Sequence, residues 1–269
     1  MAADRADPDR PPLREAVLSQ DLIRPGGLWE QIRVVQVTGS TNADLLAEAV
    51  AGAAGGRVLV AEAQTAGRGR LERQWLSPPR ASLTFSVLLR PADLPQARRA
   101  WIPLLAGVAV ASTLRRSAAV DARLKWPNDV LVGGAKLAGI LAEQHRDAVV
   151  VGVGINVTLG RQDLPVPGAT SLRLENAAEM DREQVLGAVL RELEHWYMAW
   201  AGSTDPDASG LRAEYLHRCA TIGRQVRVEL PGGRALTGIA ADVDAGGRLV
   251  VRTPSGLTSV SAGDVVHVR

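Results

Sequence analysis

Several residue types are scarce in this chain of 269 residues, which has one cysteine, one phenylalanine, two lysines and four asparagines. Cys219 has no second cysteine to pair with, which excludes a disulfide-stapled scaffold and predicts a reducing compartment, the cytoplasm. The longest apolar run, Trp101 to Ala111, falls well short of the roughly 18 to 20 residues that a membrane span needs. Residues 1–12 are charged and lack the apolar segment of a signal peptide. We therefore expect neither export nor a membrane partner.

Acidic and basic residues nearly balance. The chain has 31 basic and 29 acidic residues, a net charge of +2, which gives no electrostatic footprint for nucleic acid. Its 46% hydrophobic content is that of an ordinary globular protein. Of the basic residues, 29 are arginine and two are lysine, Lys125 and Lys136. A chain so biased toward arginine is expected to keep lysine only at positions where arginine cannot replace it. Both lysines are therefore candidates for a functional site.

The pattern of apolar residues divides the chain into three parts. Residues 1–30 are polar and proline-rich with one short helical pattern, which predicts an N-terminal extension. Residues 31–219 alternate strands and helices and then form an antiparallel meander, which predicts an α/β (α+β) domain. Over residues 220–269, turns recur at intervals of about ten residues, which predicts a small five-stranded barrel.

Local signals predict individual elements. The predicted helices span 41–50, Pro103 to about Arg116, and a long stretch after an N-cap at Asp181; the predicted strands include 31–37, 57–63 and 82–89. Thr41 with Asp44 matches a capping box at the start of the first helix. Gly133 and Gly134 predict a two-residue hairpin loop.

The common catalytic signatures are missing. The runs GVGINV (152–157) and GRGRLE (67–72) both lack the third glycine of a dinucleotide fingerprint. The sequence has no Walker A loop, no HExxH and no GxSxG motif, and its four histidines lie far apart. We therefore expect no metal site formed by the protein alone.

Four short segments carry weak signals, each with a simpler interpretation. In the loop 64–75, two glycines alternate with Arg68 and Arg70, which suits phosphate or carboxylate, although a solvated surface loop explains the same pattern. The segment 40–42 is explained equally by a helix cap. The segment 125–129 is explained by a strand that ends in a turn, and the segment 133–139 by a hairpin.

Together, in this order and spacing, these segments resemble the biotin protein ligase family. The matching motifs are GSTN at 39–42, QTAGRGR at 64–70, KWPND at 125–129, GGAKLAGIL at 133–141 and GVGIN at 152–156. The resemblance runs from about residue 34 to the C-terminus. It implies a mixed-sheet, class II synthetase-like catalytic domain over 31–219 and an SH3-like barrel over 220–269.

The resemblance also implies a reaction in two steps. Biotin and ATP, with Mg²⁺, give biotinoyl-5'-adenylate, and the biotinoyl group then passes to one lysine of a biotin carboxyl carrier domain of a carboxylase. Catalysis needs cations, because both the attacking carboxylate and the triphosphate are anionic. The catalytic residues that the resemblance implies are Lys136, Arg68 and Arg70.

The implied binding residues fall into two groups. For biotin they are the neutral groups Ser40, Thr41, Asn42 and Gln64, the wall residues Gly69, Gly139, Leu141, Gly152 and Gly154, and the three catalytic cations. For ATP they are Trp75, Asn128, Asp129 and Asn156, with the same three cations. A contact of Mg²⁺ with Asp129 is the one metal contact expected.

Two other functions compete with this one. A lipoate-protein ligase shares the fold and the adenylate chemistry, but it is not expected to combine KWPND, GRGR and a C-terminal barrel. A bifunctional ligase and DNA-binding repressor requires a winged-helix domain of about 60 residues before the GSTN strand, where about 30 poorly patterned residues stand. One departure from the family pattern is Leu71 and Glu72, where a basic residue or histidine and then glycine are usual; it places the ordering of the loop in question.

Overall fold

The computed structural model describes residues 10–71, 73–91, 95–230 and 232–268, which form two β-sheets and five α-helices. The strands of the first sheet are β1 (Gln31–Val35), β2 (Arg57–Ala61), β3 (Ser82–Leu89), β4 (Arg123–Lys125), β5 (Asp129–Val132), β6 (Ala135–His145) and β7 (Ala148–Asn156). They lie in the order β1-β2-β3-β7-β6-β5-β4. Only the β1–β2 pair is parallel among these described strands, so the sheet is mixed.

The strands of the second sheet are β8 (Gln225–Glu229), β9 (Ala235–Val243), β10 (Leu249–Thr253), β11 (Gly256–Val260) and β12 (Asp264–His267). They lie in the order β11-β10-β9-β8-β12, and every neighbouring pair is antiparallel. Buried and exposed residues alternate along β8, because only one face of this small sheet is covered. The predicted five-stranded C-terminal unit is confirmed.

The helices are α1 (Glu15–Leu22), α2 (Thr41–Val50), α3 (Trp101–Ser117), α4 (Arg182–Ser203) and α5 (Leu211–Arg218). α3 and α4 pack against each other and cover the first sheet. α3 is buried along almost its whole length, in keeping with its apolar sequence. The Asp181 carboxylate accepts hydrogen bonds from the N–H groups of Glu183 and Gln184, which confirms the predicted cap of α4.

Two local predictions need correction. The N-cap of α2 is Ser40, whose hydroxyl accepts from the Ala43 N–H, and Thr41 is already inside the helix. The predicted capping box was therefore wrong: Asp44 accepts a hydrogen bond from the Thr38 hydroxyl instead. The strands predicted over 31–37 and 57–63 each end two residues early, at Val35 and Ala61, because the chain leaves the sheet there to form the loops around the cavity described below.

The N-terminal residues are more deeply integrated than their polar composition suggests. Leu13, Leu18, Leu22 and Trp29 are buried in the main core cluster. The Trp29 indole N–H donates to the Leu190 carbonyl of α4 at 3.2 Å. Among the described residues, no helix is both long and apolar enough to cross a membrane.

Candidate active site

All the residues that the sequence suggested for ligand contact line one cavity of about 940 Å³. They are Ser40, Thr41, Asn42, Gln64, Arg68, Gly69, Arg70, Trp75, Asn128, Asp129, Lys136, Gly139, Leu141, Gly152, Gly154 and Asn156. The cavity lies over β6 and β7, between the loop 64–75, the stretch 165–169 and the start of β12. Its volume is in the range of small-molecule sites.

One end of the cavity is lined by neutral polar groups at the N-terminus of α2. The Thr41 N–H and hydroxyl both donate to Gln64 Oε1, at 2.8 and 3.1 Å. This contact fixes the loop after β2 against the first turn of the helix. The N–H groups of Thr41 and Ala43 in the first helical turn are bonded to Gln64 and to the Ser40 hydroxyl, respectively. The arrangement suits a ligand group that is polar and uncharged.

Asn42 is held by hydrogen bonds to two strands of the sheet, β6 and β3. Its Nδ2 donates to the Leu141 carbonyl at 3.2 Å and to Glu143 Oε2 at 2.9 Å. Its Oδ1 accepts from the hydroxyl of Ser86, a fully buried residue on β3, at 2.6 Å. A Cβ built on Gly152 would lie 2.2 Å from Asn42 Oδ1, so the side chain requires glycine at this position of β7.

The indole of Trp75 lies over strands β6 and β7 of the first sheet, inside the cavity. A Cβ on Gly154 would lie 2.4 Å from its Cε2 atom, and a Cβ on Gly139 would lie 3.3 Å from its Cζ3 atom. Glycine at these positions of β7 and β6 thus lets the indole lie flat against the backbone. The indole Nε1 is buried without a hydrogen-bond partner in the structure described.

The other end of the cavity is cationic. Arg70 donates to Asn128 Oδ1 at 3.1 Å and to the Gly263 carbonyl at 3.2 Å, and it lies 3.9 Å from Asp264. Burial lowers the pKa of Arg70 from its ordinary value, and Arg73 adds to the effect. Arg73 forms an ion pair with the same Asp264. Both sheets therefore contribute to this end of the site.

Lys136 stands at the beginning of β6, directly after the Gly133-Gly134 hairpin loop, where both glycines have positive φ. Its Nζ lies 2.6 Å from Asp129 Oδ1. Its backbone is held by the stretch 165–169, because the Lys136 N–H donates to the Gly168 carbonyl at 2.8 Å. The hairpin and this second loop fix the backbone of Lys136, while its ammonium group pairs with Asp129.

The second lysine, Lys125, lines the same cavity at the end of β4. Burial lowers the pKa of Lys125 from its ordinary value, and the positive charges of Lys136 and Arg73 add to this effect, while Asp129 opposes it. Arg68, on the opposite wall, forms an ion pair with Glu143 at 2.9 Å. The cations of the site are thus kept in place by carboxylates of the protein itself.

Two of the asparagines bond mainly to the protein. The Asn128 amide donates to the Ile140 carbonyl at 3.0 Å while its oxygen accepts from Arg70. Asn156 is buried, and its amide donates to the Thr170 carbonyl at 2.9 Å. These contacts hold the Arg70 guanidinium and the far end of the 165–169 stretch, respectively.

Sequence reasoning missed several residues of the cavity. Arg73 could have been found from the charge pattern of its loop. Lys125, a candidate from the scarcity of lysine but not assigned to a ligand, also lines the cavity. The C-terminal Asp264 and His267 carry no local signal, since only the folding of distant segments brings them to the cavity. The same holds for Glu143, which does not line the cavity but pairs with Arg68. Glu72, the acidic departure from the family pattern, lies outside the described residues.

Comparison with known proteins agrees with this arrangement. Residues 34–159 match the biotin/lipoate A/B protein ligase family, and residues 221–268 match the biotin protein ligase C-terminal domain. The chain belongs to the biotin protein ligase family.

Individual relatives match along most of the chain. It is 48% identical over 264 residues to the biotin–[acetyl-CoA-carboxylase] ligase of Mycobacterium tuberculosis, covering 97% of both chains. It is 33% identical to the enzyme of the same name from Paracoccus denitrificans, covering 85% of this chain and 97% of that one. The biotin protein ligase of Aquifex aeolicus, solved in complex with biotin and ATP, superimposes with a TM-score of 0.76 at 27% identity, over 90% of this chain and 100% of that one. The class II synthetase-like fold with a small C-terminal β-domain is confirmed.

Proposed function

We propose that this protein is an ATP-dependent biotin protein ligase that acts on a lysine of a biotin carboxyl carrier domain. The observation that carries the proposal is the division of a single cavity into a neutral end at α2 and a cationic end at Arg70 and Lys136. A neutral ureido ring, a carboxylate and a triphosphate together match that division. The relatives named above carry the same activity in their names.

The neutral end binds the ureido ring of biotin. Ser40, Thr41, Asn42 and Gln64 offer hydroxyl and amide groups, which can donate to the ring carbonyl and accept from the ring N–H groups. The glycine-rich stretches of β6 and β7 accommodate the bicycle, where larger side chains would intrude. The polar network behind these residues keeps them in position before the ligand enters.

In the first step, a carboxylate oxygen of biotin attacks the α-phosphorus of ATP, which forms the acyl phosphate bond and expels pyrophosphate. Arg68, Arg70, Lys136 and the backbone at Gly69 hold the two anionic groups together and stabilise the developing charge. Trp75, Asn128, Asp129 and Asn156 belong to the nucleotide side of the cavity. Trp75 contacts the base, and the two asparagines keep Arg70 and the 165–169 stretch in place.

In the second step, the neutral ε-amino group of the acceptor lysine attacks the acyl carbon of the adenylate. An amide forms, AMP leaves with the electron pair of the broken bond, and the nitrogen loses a proton. Lys136 and Arg68 stabilise the departing phosphate, because the negative charge returns to it.

Mg²⁺ enters with ATP as part of the substrate. Among the described residues there is no group of three or more histidine, cysteine, aspartate or glutamate side chains that could hold a metal by itself. Mg²⁺ usually binds through one or two carboxylates together with phosphates and water, so Asp129 suffices as the protein contact. Lys136 Nζ lies beside Asp129 Oδ1, so a carboxylate contact with Mg²⁺ would replace this ion pair and leave the ammonium group available to the anionic ligands.

The two sheets belong to parts of the chain with different proposed roles. We assign residues 31–219 to catalysis and residues 220–269 to a C-terminal domain that contributes Asp264 to the cavity, with residues 1–30 as an N-terminal extension. The partner is the carrier domain of a biotin-dependent carboxylase, with no nucleic acid or membrane involved. The cytoplasm stays a prediction from the single buried thiol of Cys219.

The transfer reaction tests the proposal. The enzyme is incubated with ATP, Mg²⁺, labelled biotin and a biotin carrier domain, with lipoate and a lipoyl domain in parallel. We expect label on the carrier lysine with biotin and at most trace transfer with lipoate. Efficient lipoate transfer would establish the competing lipoate-protein ligase function instead, and a carrier domain whose acceptor lysine is replaced by arginine serves as the control.

A further inference from the structure

The segment Arg10–Leu13 is bonded to chain segments that run directly into the ligand cavity. We propose that this segment, chiefly through Arg10, is a positioning element for the binding of biotin and ATP; the proposal rests on the function proposed above. Arg10 is not among the residues that line the cavity. It is therefore a positioning residue and not a catalytic one.

The first attachment is a buried ion pair between Glu62 and Arg182. The Arg182 Nη1 atom lies 2.7 Å from Glu62 Oε2. The Glu62 side chain is only 2% exposed and the Arg182 side chain only 4%. The N-terminal segment completes the pair: the Leu13 N–H donates to Glu62 Oε1 at 2.6 Å, and Arg182 Nη2 donates to the Pro11 carbonyl at 2.5 Å. Arg182 Nε is buried without a partner in the structure described, so the hydrogen bonds that Pro11 and Leu13 supply are needed to offset the cost of burying the two charges.

Glu62 is buried and does not line the cavity, but it lies close in the chain to residues that do. It directly follows β2 and precedes Gln64 by two residues. Gln64 is the residue that accepts two hydrogen bonds from Thr41 at the N-terminus of α2. By fixing Glu62, the N-terminal segment fixes the first residues of the loop 64–75.

Arg10 makes the second attachment, at the opposite wall. Its Nε donates to Thr158 Oγ1 at 3.0 Å, its Nη2 donates to the Thr158 carbonyl at 3.4 Å, and it lies 3.9 Å from Asp163. Thr158 comes two residues after β7, and Asp163 comes two residues before the stretch 165–169. That stretch lines the cavity and holds the backbone of Lys136.

Fixing these segments favours ligand binding, because the loop 64–75 and the stretch 165–169 both line the cavity. Binding requires both loops to be in their binding conformation, and the apparent dissociation constant rises as the fraction of such molecules falls. Loss of Arg10 lowers that fraction in the free enzyme. Once ligands occupy the site the loops are in place again, so the chemical step at saturation is unchanged.

The chain offers a matched control in Arg14. This arginine directly follows the segment, but its backbone N–H and guanidinium bond to Glu183 on the surface of α4, away from the cavity. The variants Arg10→Ala and Arg14→Ala remove the same side chain from neighbouring positions. A third variant that lacks residues 1–10 removes Arg10 in a different way and leaves Pro11 and Leu13.

The measurements are the KM for biotin and the kcat in biotin-dependent ATP–pyrophosphate exchange, together with calorimetric titration of biotin without ATP. For Arg10→Ala and the shortened chain we expect the KM and Kd for biotin to rise about three- to tenfold, with kcat within about twofold of the wild type. For Arg14→Ala we expect both constants to be unchanged. Melting temperatures confirm that all the variants are folded.

Equal KM values for Arg10→Ala and Arg14→Ala, or a loss of kcat without a change in KM, would overturn the positioning role. Absence of biotin-dependent exchange in the wild-type enzyme would overturn the proposed function itself. The two failures are therefore distinguishable in one set of measurements.

Discussion

Lys136 and the arginines of the site differ in the geometry of their charge. The ammonium of Lys136 is compact, lies 2.6 Å from Asp129 Oδ1, and its Nζ would be 3.3 Å from a Cβ built on Gly139. A guanidinium is planar and wider, with its donors in a fixed fork. The space around Lys136 therefore suits a point charge, in agreement with the retention of lysine here in a chain rich in arginine.

We predict that Lys136→Arg lowers the rate of adenylate formation by more than about a hundredfold, because a contact with the transition state is worth about 3 kcal/mol. The measurement is biotin-dependent ATP–pyrophosphate exchange. The variant Arg191→Lys, which changes an exposed arginine on α4, is the control for a general effect of such exchanges. An exchange rate of Lys136→Arg within about fivefold of the wild type would contradict the assigned role.

Gly152 is a second position where a single added atom, a Cβ, is expected to disturb the site. The Cβ of Gly152→Ala would lie 2.2 Å from Asn42 Oδ1, and Asn42 cannot move without losing bonds to Ser86, Leu141 and Glu143. Overpacking of this kind costs about 1–3 kcal/mol. We predict at least about tenfold weaker binding of biotin, measured by calorimetry.

The control is Gly202→Ala in the last turn of α4, where the added Cβ would meet no atom within 4 Å. This change is expected to leave biotin binding unaltered and to stabilise the helix slightly. Unchanged affinity in Gly152→Ala would show that the ligand does not depend on the placement of Asn42.

The helices and strands differ in how far sequence reasoning could define them. α2, β3 and the Gly133-Gly134 hairpin were predicted with their correct limits because periodicity and turn chemistry are local properties. The ends of β1 and β2 were not, since the chain leaves the sheet there in response to tertiary contacts.

The same distinction applies to the site. Residues within short motifs, such as Thr41 and Lys136, could be placed in the cavity from the sequence. The Glu62–Arg182 pair joins residues 120 positions apart, and the Arg73–Asp264 pair joins residues 191 positions apart. Neither residue of such a pair differs in its local pattern from an exposed charge, so the sequence alone does not indicate that the two meet.

Strand β12 contains a histidine whose state depends on folding. Burial lowers the pKa of His267 from 6.5 to about 4, with further contributions from Lys125 and Arg224, and His267 Nε2 lies 3.2 Å from Thr221 Oγ1. The unfolded chain therefore binds a proton more readily than the folded one. The contribution of neutral His267 to the stability of the fold is complete above about pH 6.5 and is lost progressively as the pH falls toward 4.

We predict that His267→Gln reduces the fall in melting temperature between pH 7 and pH 5, because glutamine keeps a polar group near Thr221 without taking up a proton. Thermal denaturation at a series of pH values is the measurement. If His267→Gln and the wild type lose the same melting temperature, the histidine does not contribute to the pH dependence.

The two sheets share one hydrophobic core. Trp126, in the turn between β4 and β5 of the first sheet, lies in the same buried cluster as Val226, Val228 and Leu249 of the second sheet. Its indole N–H donates to the Gly247 carbonyl at 3.1 Å, in a buried contact. A continuous core of this kind favours unfolding of both parts in a single cooperative transition.

We predict one calorimetric unfolding transition for the wild type and also for Trp126→Phe, which leaves the Gly247 carbonyl without this donor and costs about 1–3 kcal/mol. The control Trp196→Phe removes a bond from the indole to Glu192 on the same helix and is expected to cost much less. Two separate transitions in the wild type would show that the sheets fold independently.

The proposed reaction depends on a cavity whose neutral and cationic ends bind one molecule, the adenylate. It is tested by a single turnover without carrier domain, in which the enzyme is mixed with biotin, ATP and Mg²⁺ and its bound small molecules are identified by mass spectrometry. The proposed reaction gives close to one biotinoyl-5'-adenylate and one released pyrophosphate per chain, both dependent on biotin. Pyrophosphate release without biotin, or bound biotin and ATP that never combine, would contradict it.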